Sequence, residues 1–130
     1  MLIWFEDYAL DTDRRELRRG AELLSMEPQV FDLLVFLVTN RDRVVSKDDL
    51  MAGVWGGRIV SESTLASRIN AVRRVIGDSG AQQRLVRTII GKGIRFVGEA
   101  HETRPPLETD AADIARKLPS LRLAGRPAIL

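Results

Sequence analysis

SESTLASRINAVRRVI, residues 61–76, reads as a single amphipathic helix. At about 100° per residue, Leu65, Ile69, Val72 and Ile76 fall along one edge, and Ser63, Ser67, Asn70, Ala71 and Arg74 gather on the other. The apolar edge suits a protein core. It ends after about two heptads, which is too short for a zipper. On the opposite edge, small side chains let a helix backbone sit deep in a DNA major groove, where Asn and Arg can pair bidentately with adenine and guanine. Ser61 is placed to cap this helix and Glu62 lies in its first turn, where unpaired N–H groups favour an oxygen and a negative charge. Gly77-Asp78-Ser79-Gly80 ends it.

Working outward, Leu85 to Ile90 and Ile94 to Val97 are rich in β-branched and aromatic residues and flank Gly91-Lys92-Gly93, a loop suited to a tight hairpin. On the N-terminal side, Ser46-Lys47-Asp48-Asp49 has the form of a capping box, with Asp in place of the usual Glu or Gln. It opens a second helix from Lys47 to Trp55 that stops at Gly56-Gly57. Arg58 to Val60 joins that helix to the next.

From Val30 to Val38 only Asp32 is polar, and a helix apolar almost all round belongs in the middle of a core. Ser25 is its expected N-cap, with Glu27 and Pro28 in the first turn. The opening pieces Leu2 to Phe5, Tyr8 to Leu10, Glu16 to Arg18 and Leu23 to Leu24, with Gly20 as a turn residue, predict a small antiparallel sheet. The expected order is sheet, three helices, hairpin: an α+β fold.

The 130 residues, 45% of them hydrophobic, can bury one packed core. With no Cys, disulfide scaffolds, thiolate zinc sites and cysteine nucleophiles are excluded together. The longest apolar run, Leu33 to Val38, is far too short to span a bilayer, and Glu6 and Asp7 break any signal-peptide pattern. A soluble cytoplasmic protein is expected. The net charge of +2 is unevenly spread: residues 1–40 carry four Arg against eight acids, and residues 41–98 carry eleven Lys or Arg against five. A basic excess placed on the third helix and hairpin suits a polyanion, whose condensed counterions are released when phosphates are neutralised.

After Gly98 the texture changes. Pro105-Pro106 marks a linker, Leu107, Ala111, Ile114 and Leu118 recur at helical spacing, and GRPAIL turns apolar at the end. The expected division is a folded domain over residues 1–98 and a linker or tail over 99–130 that leads toward a further domain.

The segments VVSKDDLMAGVWGGRIVSESTLASRINAVRRVIGD and QRLVRTIIGKGIRFVGE, together with EPQVFDLL before them, resemble the winged helix-turn-helix domain of the OmpR/PhoB-type family. The likeness spans about residues 3–98 and is more similar to the CadC-like branch, in which this domain stands at the N-terminus. It implies double-stranded DNA as partner, with the third helix in the major groove and the hairpin, or wing, at the adjacent minor groove. Carried onto this chain, it implies that Thr64, Ser67, Asn70, Ala71 and Arg74 face DNA, that Trp55 stands near the phosphate backbone, and that Thr88 and Lys92 contact DNA from the wing. Arg68 and Arg73 on the helix flanks and Arg87 and Arg95 on the wing strands complete the candidate set as basic residues.

Departures from the family pattern fall at Ala71 and Ile90, both at frequent Arg positions, and at Ile94, in place of a common Tyr, so base preference does not transfer. The first strand starts at Met1, which leaves no receiver domain ahead of it and argues against control by aspartyl phosphate. By analogy alone, the Gly56 to Val60 loop is expected to touch RNA polymerase, and a second copy to bind a tandem half-site.

Catalysis finds no support. Val86 stands where a phosphate-binding loop would need a Gly before Gly91-Lys92, and Gly93 follows where Ser or Thr is required. His101 is the single His, so neither a nucleophile relay nor a His-rich metal site can be assembled, and no cofactor is implied. The competing alternative is a winged helix used only as a protein-interaction module, which has no need of a groove-facing Asn and Arg. Single-strand binding would call for exposed aromatics, and Phe96 fits the core side of the hairpin.

Overall fold

The structure, a computed structural model, describes residues 1–102. The helix expected over Leu107 to Leu118 and the GRPAIL ending lie outside the described residues. Four short strands, β1 (Leu2–Phe5), β2 (Tyr8–Asp11), β3 (Glu16–Arg19) and β4 (Glu22–Leu24), form an antiparallel meander in the order β1-β2-β3-β4. Its register pairs Ile3 with Leu10, Phe5 with Tyr8 and Leu10 with Leu17, so the apolar side chains share one face, as a period of two requires. That face is buried.

Helix α1 (Pro28–Thr39) runs behind the sheet with Val30, Phe31, Leu33, Leu34, Leu37 and Val38 buried. Its start differs from expectation. Glu27, not Ser25, occupies the N-cap and makes no side-chain cap bond, while Pro28 at the first position costs nothing because that N–H has no helical partner. Asp32, the polar residue of this apolar stretch, ends in an ion pair with Arg15 at 2.8 Å, and the same guanidinium lies 4.8 Å over the Phe31 ring.

Helix α2 (Lys47–Gly53) begins with the expected capping box: Ser46 Oγ accepts from Asp49 N at 3.0 Å and Asp49 Oδ2 accepts from Ser46 N at 3.1 Å. Backbone N–H donors at Ser46 and the Arg43 guanidinium hold the Asp49 carboxyl below its ordinary range. The helix stops at Gly53, two residues before the expected Trp55, because the chain turns to send the Trp55 side chain into the core. Gly56 and Gly57 follow at positive φ, and Gly57 N closes the turn on Met51 O at 2.8 Å.

Helix α3 (Glu62–Val75) has Ser61 as its N-cap, whose Oγ accepts from Thr64 N at 3.1 Å. It packs across α1. Strands β5 (Val86–Ile89) and β6 (Gly93–Phe96) form the hairpin, one residue out of step with the expected loop. Gly93 belongs to β6 and meets Val45: a Cβ there would lie 2.0 Å from Val45 O. Val45 and Ile94 exchange both backbone hydrogen bonds, at 2.7 and 2.9 Å, which ties the hairpin to the entry of α2. Past Gly98 the chain continues back to the first sheet, where His101 exchanges backbone bonds with Trp4 at 2.7 and 2.8 Å. Among the described residues no helix is long and apolar enough to cross a membrane.

Candidate nucleic-acid interface

Helix α3 separates its two edges as its periodicity requires. Leu65, Ile69, Val72 and Ile76 are buried against the core, and Ser63, Ser67, Asn70 and Arg74 are exposed. Arg74 makes no side-chain hydrogen bond or ion pair among the described residues, and neither do Arg87 and Lys92. An open cleft of about 600 Å³ lies between the start of α2, the Glu62, Leu65, Ala66 and Ile69 side of α3, and the tip of the wing at Thr88 to Gly93. It separates the wing tip from the helix.

Several candidates are more enclosed than the helical wheel suggests. Ala71 is half-buried and packs against the core. Thr64 is half-buried, and its Oγ1 accepts from Ser61 Oγ at 3.0 Å. Arg68 donates from Nε to Gln29 Oε1 at 2.9 Å, tying α3 to α1. Trp55 is 6% exposed and belongs to the core.

Arg73 departs furthest from expectation. Expected on the flank of the helix stripe as a candidate DNA contact, it is 6% exposed. Its Nε donates to Val86 O at 3.1 Å, Nη2 to Thr88 Oγ1 at 3.1 Å and Nη1 to Asn70 Oδ1 at 3.2 Å. Burial pulls its pKa down and the nearby Asp78 carboxylate pushes it back up. The guanidinium therefore acts as a strut between α3 and β5, which is how its buried N–H groups are satisfied.

On the wing, Val86, Thr88, Ile94 and Phe96 share the face turned to α3, by their register and by strand alternation. Arg87 and Arg95 stand directly opposite each other on the other face. Arg95 Nε donates to Arg41 O at 2.9 Å. Two like charges in cross-strand register repel.

Asp78, in the Gly77-Asp78-Ser79-Gly80 segment that ends α3, does more than stop a helix. It is 6% exposed; Oδ1 accepts from Arg84 N at 2.7 Å, and Oδ2 accepts from Leu85 N and Val86 N at 2.9 Å each. Burial pushes its carboxyl up, and the backbone N–H groups of Val86, Leu85, Arg84 and Ser79 outweigh this, leaving it below the ordinary value. Gln83 assists by accepting from Thr88 N through Oε1 at 2.8 Å. Nothing in local periodicity marks either residue; a lone acid just after a helix-ending Gly is the one available signal. Nearby, Arg84 pairs with Glu6, which raises the Arg84 pKa and ties the loop to the first sheet.

A family model described as "Transcriptional regulatory protein, C terminal" matches residues 20–96. The chain belongs to this family. It is of the OmpR/PhoB type: PhoB of Escherichia coli (strain K12) is 33% identical over 96 residues, covering 73% of this chain and 42% of PhoB. The transcriptional regulator HilA of Salmonella typhi is 31% identical over 102 residues, covering 78% of this chain and 18% of HilA. The chain thus spans less than half the length of these relatives.

Among solved structures, the DNA-binding domain of E. coli CadC is similar with a TM-score of 0.66 at 21% identity, covering 77% of this chain and 94% of that one. The Klebsiella pneumoniae RstA DNA-binding domain, solved in complex with the RstA box, gives 0.65 at 21% identity, covering 73% and 95%. Both likenesses show the fold, and the sheet, three helices and C-terminal hairpin form a winged helix.

Proposed function

We propose that this family member binds double-stranded DNA sequence-specifically as part of a bacterial transcriptional regulator, with α3 in the major groove and the wing at the adjacent minor groove. One observation carries this: the edge of α3 opposite the core presents Ser67, Asn70 and Arg74 to solvent, with Arg74 unengaged among the described residues. Such an edge suits base readout, and the exposed Lys92 and Arg87 on the wing suit phosphates. Family membership and the solved RstA complex with its box support the same reading. Arg68 and Arg95, each tethered through Nε, are assigned to the phosphate flank. Ala71, Trp55 and Arg73 are assigned to support behind the interface, and Thr64 and Thr88 to its rim.

The finer branch is proposed to be CadC-like, supported by a HilA match that takes up only 18% of that longer protein. The linker or tail expected over residues 99–130 is then proposed to lead toward another domain, and the proposed site of action is the cytoplasm, where the DNA is. Contact with RNA polymerase through the exposed Arg58 and Ile59, and a second copy on a tandem half-site, rest on family resemblance.

The test is selection from a random duplex pool followed by affinity against salt concentration. A recovered consensus and a negative log–log slope support DNA reading. No enrichment, together with salt-insensitive capture of a protein partner, would favour the interaction-module alternative.

A further inference from the structure

An Arg side chain has five N–H donors and no acceptor, so the atom of a neighbouring amide that faces it must be the oxygen. Arg73 Nη1 stands 3.2 Å from Asn70 Oδ1, which fixes the orientation of that amide. The guanidinium cannot swing away to release it, because Nε and Nη2 are committed to Val86 O and Thr88 Oγ1 and the residue is buried. The loop after α3 closes over the pair: a Cβ on Gly80 would sit 3.7 Å from Arg73 Nη1 and 3.8 Å from Asn70 Oδ1. Asn70 itself is exposed, and its Nδ2 has no hydrogen-bond partner among the described residues.

We propose that Arg73 is a positioning residue that turns the Asn70 amide so that its NH₂ faces the groove, making Asn70 a reader of base acceptors, namely a purine N7, a guanine O6 or a thymine O4. The inference rests on the duplex-DNA function proposed above. It departs from the bidentate adenine pairing expected of Asn, in which Oδ1 accepts from N6 while Nδ2 donates to N7. Here one lone pair of the oxygen already accepts from a buried cation, which leaves NH₂ as the free polar group of the amide. Reversing the amide would set NH₂ against the guanidinium, donor against donor. The wing therefore takes part in specificity through Val86 and Thr88, which hold the strut that holds Asn70.

The test uses the duplex recovered from the pool and base analogues at the pair where Asn70→Ala loses discrimination. Removing the acceptor, by 7-deazapurine or a pyrimidine lacking O4, should weaken the natural chain about tenfold and leave the Asn70→Ala variant unchanged, as expected for one hydrogen bond. Removing an adenine 6-amino group should change neither. A comparable loss on removing the amino group, or no base pair coupled to Asn70, overturns the proposal. In a second arm, Asn70→Asp keeps a partner for Arg73 but offers an acceptor outward, so preference at that pair should move to a base donor such as cytosine N4; an unchanged preference also overturns it.

If the natural chain enriches no duplex, the DNA-reading function fails. The Arg73 strut is then judged separately by NMR of the free chain. An upfield move of the Asn70 ¹³Cγ signal in Arg73→Met, or in Arg73→Lys should the first not fold, supports the locked amide, and no move overturns it.

Discussion

Changing Asp78 to Asn keeps the shape of the side chain and removes one acceptor oxygen from the turn that launches the wing. Leu85 and Val86, whose N–H groups bond to Oδ2, are 2% and 0% exposed, so neither can turn to water instead. The less costly amide orientation leaves Oδ2 as the carbonyl and turns NH₂ toward the Arg84 N–H, which loses its 2.7 Å acceptor. Two charge-assisted bonds become neutral and one N–H is orphaned, for a total loss of about 2–4 kcal/mol. In a domain of this size that lowers Tm by roughly 10–25 °C.

The pH dependence gives an independent check. The folded Asp78 carboxyl lies below its ordinary value, so its contribution is complete above the unfolded pKa of about 4 and disappears as pH falls through the folded pKa. Urea unfolding of the natural chain and of Asp78→Asn, followed by circular dichroism at pH 7 and stepwise to pH 3, should show the gap between them narrowing below about pH 4. A loss under about 0.5 kcal/mol at pH 7, or a gap of constant size down to pH 3, would refute this account of how the wing is held.

Two glycines of the wing should respond in a defined order. Gly93→Ala drives a Cβ to within 2.0 Å of Val45 O and should cost about 2–4 kcal/mol in urea unfolding, whereas Gly91→Ala, at φ +75° with open space around it, should cost about 1–2 from backbone strain alone. The reverse order would be incompatible with the Val45 contact. Arg74→Ala should weaken binding to the selected duplex by about 1–3 kcal/mol and relax preference at one base pair; equal weakening on every sequence would assign Arg74 to phosphate instead. For Lys92→Ala, the salt slope should become shallower by about one, and an unchanged slope removes the wing tip from the interface. Ser61→Ala should lower stability by about 1 kcal/mol through loss of the bond from Thr64 N, read as a shift in the urea midpoint at unchanged m-value.

The elements of this protein are legible because their signals are local. The two edges of α3, the capping box at Ser46 and the short apolar pieces of β1 and β2 each follow from residue types and spacing within a few residues, and all three appear in the structure. Helix ends were less legible. The N-cap of α1 moved to Glu27, and α2 stopped at Gly53, where burial of Trp55 overrode a pattern that allowed two more residues.

The order of elements, the dry and wet edges of α3 and the basic bias of residues 41–98 were determined by the sequence alone, since propensity, periodicity and charge are properties of short stretches of chain. Which polar groups are spent inside was decided only by tertiary structure. Arg73 lies three residues from Asn70 on the helix and looks equally available, yet packing brings it under β5, where Val86, Thr88 and Asn70 consume its donors. Asp78 looks like a helix terminator until the fold lays the backbone of Arg84, Leu85 and Val86 against its carboxylate. A buried charge persists only where partners distant in the chain converge on it, and that convergence leaves no trace in local spacing.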